Sequence, residues 1–250
     1  MDDLKSISCV TYNMHGFNQG ECLLLELLDK YDIICVQEHW LFTSELCRFS
    51  DMTTSFLIHS ISAMDDNVMS DFIRGRPFGW LAIFINRKLY KYVTLVHKCD
   101  RFIIIKLGNL ILCNVYLPYE DVNYYDCLLS DISDLLTNYI SNSVIMVCGD
   151  FNSNLTNLCK FGSVLQCFMQ RNKLCSTDGM LSSNCPQYTY QHNSLGHSSF
   201  IDHFLVSNCL MNDIISLTTL DSGINYSDHL PLVLFCDFSN LNLDKKTIWC

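Results

Sequence analysis

Asp32-Ile33-Ile34-Cys35-Val36-Gln37 is apolar through its whole middle, without the alternation that marks a strand with one wet face. Such a run reads as a strand buried on both faces, with other layers packed above and below it. Upstream, Ile7 to Tyr12 reads as a strand and Glu21 to Lys30 as a helix with a broad leucine face. Downstream, Phe56 to Ile61, Trp80 to Ile85, Tyr92 to His97, Phe102 to Leu107 and Leu110 to Leu117 follow as strands. Tyr125, Leu128, Leu129, Ile132, Leu135, Leu136 and Tyr139 form the stripe of an amphipathic helix, with Asn123 as its N-cap. Val144 to Cys148, Gln187 to Tyr190, Phe200 to Val206, Ile214 to Leu220 and Leu230 to Phe235 complete the strands. So many strands with three or so helices predict two packed sheets flanked by helices. We expect one domain over residues 1–238, with 239–250 a tail or a linker to further domains.

Composition narrows the function classes. In 250 residues, 49% apolar and 17% charged with four prolines, there is enough to bury a core and little that suggests disorder. Fifteen cysteines, an odd count scattered through apolar runs with no C-x-x-C pair, read as reduced core thiols. The N-terminus lacks the basic flank and apolar stretch of a signal peptide, and no apolar run would span a bilayer. A soluble intracellular protein with no membrane partner is expected. A net charge of −10 argues against nucleic-acid binding by bulk electrostatics and fits acids gathered to hold metal ions.

The candidate chemistry sits where strands end. Asn13 follows the first strand and Glu38 the second, and an amide beside a carboxylate makes a hard-oxygen site suited to magnesium. After the strand Val144 to Cys148, Gly149 permits a tight bend, Phe151 can anchor in the core, and Asp150 and Asn152 point the same way. The same residues also spell a plain Asx-turn. Asp202 shares its strand face with Phe200, Phe204 and Val206, where a carboxylate is costly unless paired. His229, just before a strand, is the natural partner, since a carboxylate can orient an imidazole and favour its charged form. His203, on the opposite face, reads as structural.

Taken in order, Tyr12-Asn13, Gln37 to Trp40, Arg74 to Trp80, Asn114 to Pro118, residues 149–152, Tyr188 to Tyr190, residues 200–207 and Ser227 to Leu232 form a set. It resembles the endonuclease/exonuclease/phosphatase superfamily, and within it the apurinic-like endonuclease domain of non-LTR retrotransposons. The resemblance implies a four-layer α/β sandwich, Mg²⁺ or Mn²⁺, and a DNA strand as substrate, nicked to leave a 3′-hydroxyl that primes reverse transcription. It implies metal-holding roles for Glu38, Asn13 and Asp228, and it makes Asp150 the residue that positions or deprotonates the attacking water. Asn152 then orients the phosphate, Tyr116 hydrogen-bonds it, Thr189 lies near it, and Asp202 orients His229 against its charge. A reverse transcriptase domain in the same polypeptide is the implied partner, and the nucleus the place of action on DNA. Another phosphodiesterase of the superfamily, or a silent binding scaffold, is the alternative.

The chain departs from the repair enzymes of the superfamily at Tyr119, where they carry asparagine, and in having no Lys or Arg between Pro118 and Lys160. A nicking enzyme without abasic-site specificity is therefore expected. Arg74 and Arg76 head a basic third of the chain, with Arg87, Lys88, Lys91, Lys98, Arg101 and Lys106, that serves either as a DNA patch or as a solvated sheet edge. Residues 191–199, with His197, form a polar hairpin loop expected to overhang the cleft, either probing DNA shape or merely connecting two strands.

Overall fold

The computed structural model describes residues 6–63, 80–156, 159–192 and 194–237. Two six-stranded sheets lie face to face. The first runs β13 (Ile214–Thr219), β14 (Leu232–Asp237), β1 (Ser6–Asn13), β2 (Ile33–Gln37), β4 (Trp80–Asn86), β3 (Phe56–Ser62). The second runs β5 (Val93–Lys98), β6 (Phe102–Leu107), β7 (Leu110–Tyr116), β8 (Val144–Asp150), β12 (Asp202–Ser207), β9 (Leu174–Ser176). Strands β10 (Tyr190–Gln191) and β11 (Ser198–Ser199) make a separate small hairpin.

The double burial of β2 has a direct cause. Ile33 and Cys35 face the core between the sheets, packed with Met146, Cys148 and Phe204. Ile34 and Val36 face the other way, onto the helices α1 (Phe17–Lys30) and α2 (Cys47–Met52). The second sheet repeats the arrangement, with Ile145 and Val147 packed under α3 (Val122–Thr137) and α4 (Lys160–Asn172). The result is the expected four-layer α/β sandwich. Every cysteine among the described residues is a free thiol, and burial holds that of Cys35 well above its usual range. No helix among the described residues is long and apolar enough to cross a membrane.

The two sheets are tied together by a polar network as well as by apolar packing. Gln37 is fully buried and donates to Asn114 Oδ1 (2.6 Å) and Thr11 Oγ1 (3.0 Å), while Asn114 donates to the carbonyls of Val36 and Ala82. Satisfied on both sides, this network fixes one sheet against the other.

Several local expectations shift. Helix α1 starts at Phe17, a turn before Glu21, because Phe17 packs its ring on Phe49 and Gly20 lets the helix press against Met14. The cap of α3 is Asp121, whose carboxylate accepts from the N–H groups of Asn123 and Tyr124. Tyr188 and Thr189 fall outside the strands, and the strand expected from Phe200 begins at Asp202. Helix α4 carries no conventional cap: the Cys159 thiol accepts from the Gly162 N–H at 3.3 Å. Gly149 makes no bend. It lies inside β8 with φ +141°, and a Cβ there would stand 2.0 Å from the Val115 carbonyl oxygen. A side chain is excluded by close strand approach.

Candidate active site

Topology collects the polar strand ends at one end of the sandwich. β1 and β2 are parallel neighbours, so Asn13 and Glu38 emerge together. β7 and β8 are likewise parallel and deliver Tyr116 and Asp150 as register partners. β12 runs antiparallel to β8, so its first residue, Asp202, lies directly across from Asp150. His229 precedes β14 on the other sheet. Together these form a cleft of about 610 Å³ lined by His15, Glu38, Tyr116, Asp150, Asn152, Asp228 and His229, with Tyr119, Glu120, Tyr190, His192 and Ile201 completing its walls.

The side chains are held by one another. Asn13 Nδ2 donates to Glu38 Oε1 (2.8 Å) and Asp150 Oδ2 (2.9 Å), bridging the carboxylates of the two sheets. The Asn152 N–H donates to Asp150 Oδ1 (2.8 Å) and its side chain to the Leu117 carbonyl (2.9 Å). His229 Nδ1 lies 2.9 Å from Asp202 Oδ2, and its Nε2 lies 3.9 Å from Asp150 Oδ2. His15 Nδ1 pairs with Asp228 Oδ1 at 2.6 Å, and its ring packs on Trp40. Four non-glycine residues here take positive φ: His15 (47°), Glu38 (53°), Trp40 (55°) and Asn152 (47°). Strain of that kind persists only where surrounding structure over-determines it.

Burial and like charge set the proton affinities. The Asp150 carboxyl is pushed up to about 7, first by burial and then by the facing Asp202 charge, against the pull of His229. Burial pulls His229 down, but the Asp202 charge and hydrogen bond outweigh it and raise the ring to about 10. The buried dyad is therefore an imidazolium held by a carboxylate. Burial raises the Tyr116 phenol, with the Glu38 and Asp150 charges adding, so it stays a proton donor.

Not every predicted site residue reaches the cleft. Thr189 is fully buried behind Asp202, where its hydroxyl accepts from the N–H groups of Ile201 and Asp202. His197 is exposed outside the cleft, and His192 of the same hairpin lines it instead. Arg74 and Arg76 lie outside the described residues. Of the other basic residues, Arg87 donates to the Thr54 carbonyl, Lys98 to the Ser60 carbonyl, Lys88 pairs with Asp32, and none lines the cleft. His203 lies on the far face, bonded to Asp178 Oδ2 (2.9 Å) and the Ser153 carbonyl (2.8 Å). Sequence reasoning left His15, Glu120 and Tyr190 without a role; His15 had a signal, two residues beyond Asn13 on the same chain exit.

The family model described as "Endonuclease/Exonuclease/phosphatase family" matches residues 10–229, from β1 to the cleft histidine. The chain belongs to this family. No curated protein sequence matches it. Among solved structures, an AP endonuclease from Leishmania major is similar, with a TM-score of 0.75 at 13% identity over 95% of this chain and 89% of that one. An AP endonuclease from Archaeoglobus fulgidus gives 0.71 at 17% identity, covering 91% of this chain and 98% of that one. A 3′ phosphatase from Neisseria, bound to a product DNA hairpin, gives 0.69 at 14% identity over 92% and 99% of the two chains. At such identities the likeness is one of fold. It makes this member of the endonuclease/exonuclease/phosphatase family an α/β sandwich of the AP endonuclease kind.

Proposed function

We propose that this family member is a divalent-metal-dependent endonuclease that nicks one DNA strand and leaves a 3′-hydroxyl. The observation that carries the reading is the Asp202–His229 pair set beside Asp150 in a cleft that Glu38 also lines, with Asn13 bridging the Glu38 and Asp150 carboxylates from behind. The donor set fits a hard cation. Glu38, Asp150 and Asp202 are three buried carboxylates against one imidazolium, none ion-paired to a Lys or Arg among the described residues. Asp202 Oδ1 is buried with no hydrogen-bond partner among the described residues. Asp150, Asp202 and His229 bring ligand atoms within 4.8 Å of one another but do not together cage the ion. His229 Nδ1 is already committed to Asp202 and its ring is positive, so we assign Mg²⁺ or Mn²⁺ to Glu38, with Asn13 and Asp228 supporting. Once bound, such an ion supplies Lewis-acid charge at the phosphate and a more acidic attacking water.

The chain's own residues supply the rest. Asp150, with a proton affinity near neutrality, is matched to accepting the proton of the attacking water. Asn152 and Tyr116 orient the phosphate, and the His229 imidazolium sits where the pentacovalent phosphorus gathers negative charge. Water oxygen bonds to phosphorus as the bond to O3′ breaks. The product end suits a reverse transcriptase, which we propose as a domain of the same polypeptide acting on nuclear DNA. Thr189 acts through Asp202, as its brace. The test is supercoiled plasmid with Mg²⁺, with and without EDTA, followed by polymerase extension of the nicked circles. Nicks that form without metal, or that cannot be extended before end repair, would overturn the reading.

A further inference from the structure

The cleft walls carry an uncommon mixture for a site that takes a polyanion. Among the described residues lining it are four carboxylates, Glu38, Glu120, Asp150 and Asp228, and no lysine or arginine. These described walls offer flanking phosphates little attraction, which leaves room for grip on another part of the strand. The walls also offer aromatic faces. Tyr119 stands at the rim with 59% of its surface exposed, and Tyr190 and His192 face the same space from the hairpin. A large, rigid ring left in water beside a binding cleft is a contact surface in waiting.

The chain is anchored on both sides of Tyr119. Two residues before it, the Leu117 N–H donates to the Asp150 carbonyl (3.0 Å) and the Leu117 carbonyl accepts from Asn152. Two residues after it, Asp121 is fixed as the cap of α3. The hairpin wall is anchored too, through the Gln191 N–H to the Asp228 carbonyl (2.9 Å) and the bridge between Tyr190 and His229. The backbone that carries both aromatic walls is thus anchored before any strand arrives, which lowers the ordering cost of binding.

We infer that the cleft takes an unstacked nucleotide, and that Tyr119 is the platform on which its base packs. This rests on the DNA-nicking reading and narrows it. The substrate is DNA with a nucleotide out of the helical stack beside the scissile phosphate, at a bulge, a mismatch or a single-stranded stretch. A space of about 610 Å³ falls in the range that encloses ligands of nucleotide size. Removing a base from the stack costs least where it is already unpaired. Every base has a π-face, so the platform selects for shape and local melting and not for sequence.

The test uses short duplexes carrying 2-aminopurine either in a one-nucleotide bulge or paired at the same place, bound in EDTA so that nothing is cut. The wild type should bind the bulged duplex about tenfold more tightly than the paired one and quench its fluorescence, the scale of one base–aromatic stack. Tyr119→Ala should lose both preference and quenching, and Tyr119→Phe should keep both, since the ring carries the effect. Equal affinity for the two duplexes, no binding of either, or an unaltered Tyr119→Ala would overturn the inference. Adding Mg²⁺ to the same duplexes separates the two claims. Bulge-selective binding without any cutting would sink the nicking reading and leave the platform standing; equal cutting of both duplexes would do the reverse.

Discussion

Asp202→Asn preserves the shape of the dyad and removes its charge, so it measures what the carboxylate does for His229. Both partners are buried and 2.9 Å apart. The rise of the His229 ring from 6.5 to about 10 corresponds to roughly 5 kcal/mol favouring its charged form. Burial opposes that rise, and Asp202 is the largest contributor driving it. With the amide in its place, most of the preference goes, and burial, still opposing the charged form, brings the ring's proton affinity down. Losing one charge-stabilising donor costs about 2–4 kcal/mol, roughly thirtyfold to a thousandfold in kcat. The assay is the initial rate of plasmid nicking across pH 5.5 to 9. The wild-type His229 ring stays protonated over most of that range, whereas Asp202→Asn should lose rate as pH rises through the lowered pKa. His229→Ala should lose a similar factor, and the double variant should be barely worse than either, because the two act as one unit. Additive losses, or a variant pH profile parallel to the wild type, would refute the pairing argument.

Metal-free protein should be less stable at pH 8 than at pH 6. Asp150, raised from 3.8 to about 7, contributes stability that is present below its unfolded value and lost as pH rises through the folded one. Mn²⁺ should then raise the melting temperature more at pH 8 than at pH 6; an equal rise at both would speak against an ion near Asp150. Gly149→Ala should destabilise by about 3 kcal/mol or prevent folding, since its Cβ meets the Val115 carbonyl oxygen at 2.0 Å in a left-handed conformation; an unchanged urea midpoint would contradict that contact. Plasmid carrying abasic sites should be cut little better than intact plasmid, and a hundredfold preference, roughly 3 kcal/mol, would return the enzyme to a repair role. Replacing residues 192–198 with a short Gly-Ser turn should move nick positions while leaving metal dependence intact, because His192 reaches the cleft; an unchanged pattern at unchanged rate would reduce the hairpin to a connector.

The strands were legible because the force that makes them is local. A run such as Ile33–Gln37 or Val144–Cys148 has to be covered on both faces wherever it ends up, and its apolar content states that requirement directly. Asn13, Glu38 and Asp150 drew attention by following such runs, and Asp202 by sharing an apolar strand face. Helix α4 was less legible because its N-cap is a cysteine and its few core residues, Leu165 and Phe168 among them, are spread among polar ones. The short pairing of Tyr190 with Ser199 exists only where the hairpin docks beside His229.

Local chemistry along the chain therefore specifies an inventory: two sheets' worth of buried strands, and a set of acids, amides and one histidine placed at their ends. Which of those groups meet was decided by sheet order and by the stacking of one sheet on the other. Asp150 and Asp202 became facing partners because β12 pairs antiparallel with β8, and burial together with the facing Asp202 charge raised the Asp150 carboxyl to about 7. His15 acquired Asp228 across 213 residues of chain, and His192 reached the cleft while His197 stayed outside it. Side-chain alternation along a strand is a local property; the distance between two strand ends is a property of the whole packed core, and the chemistry depends on that distance.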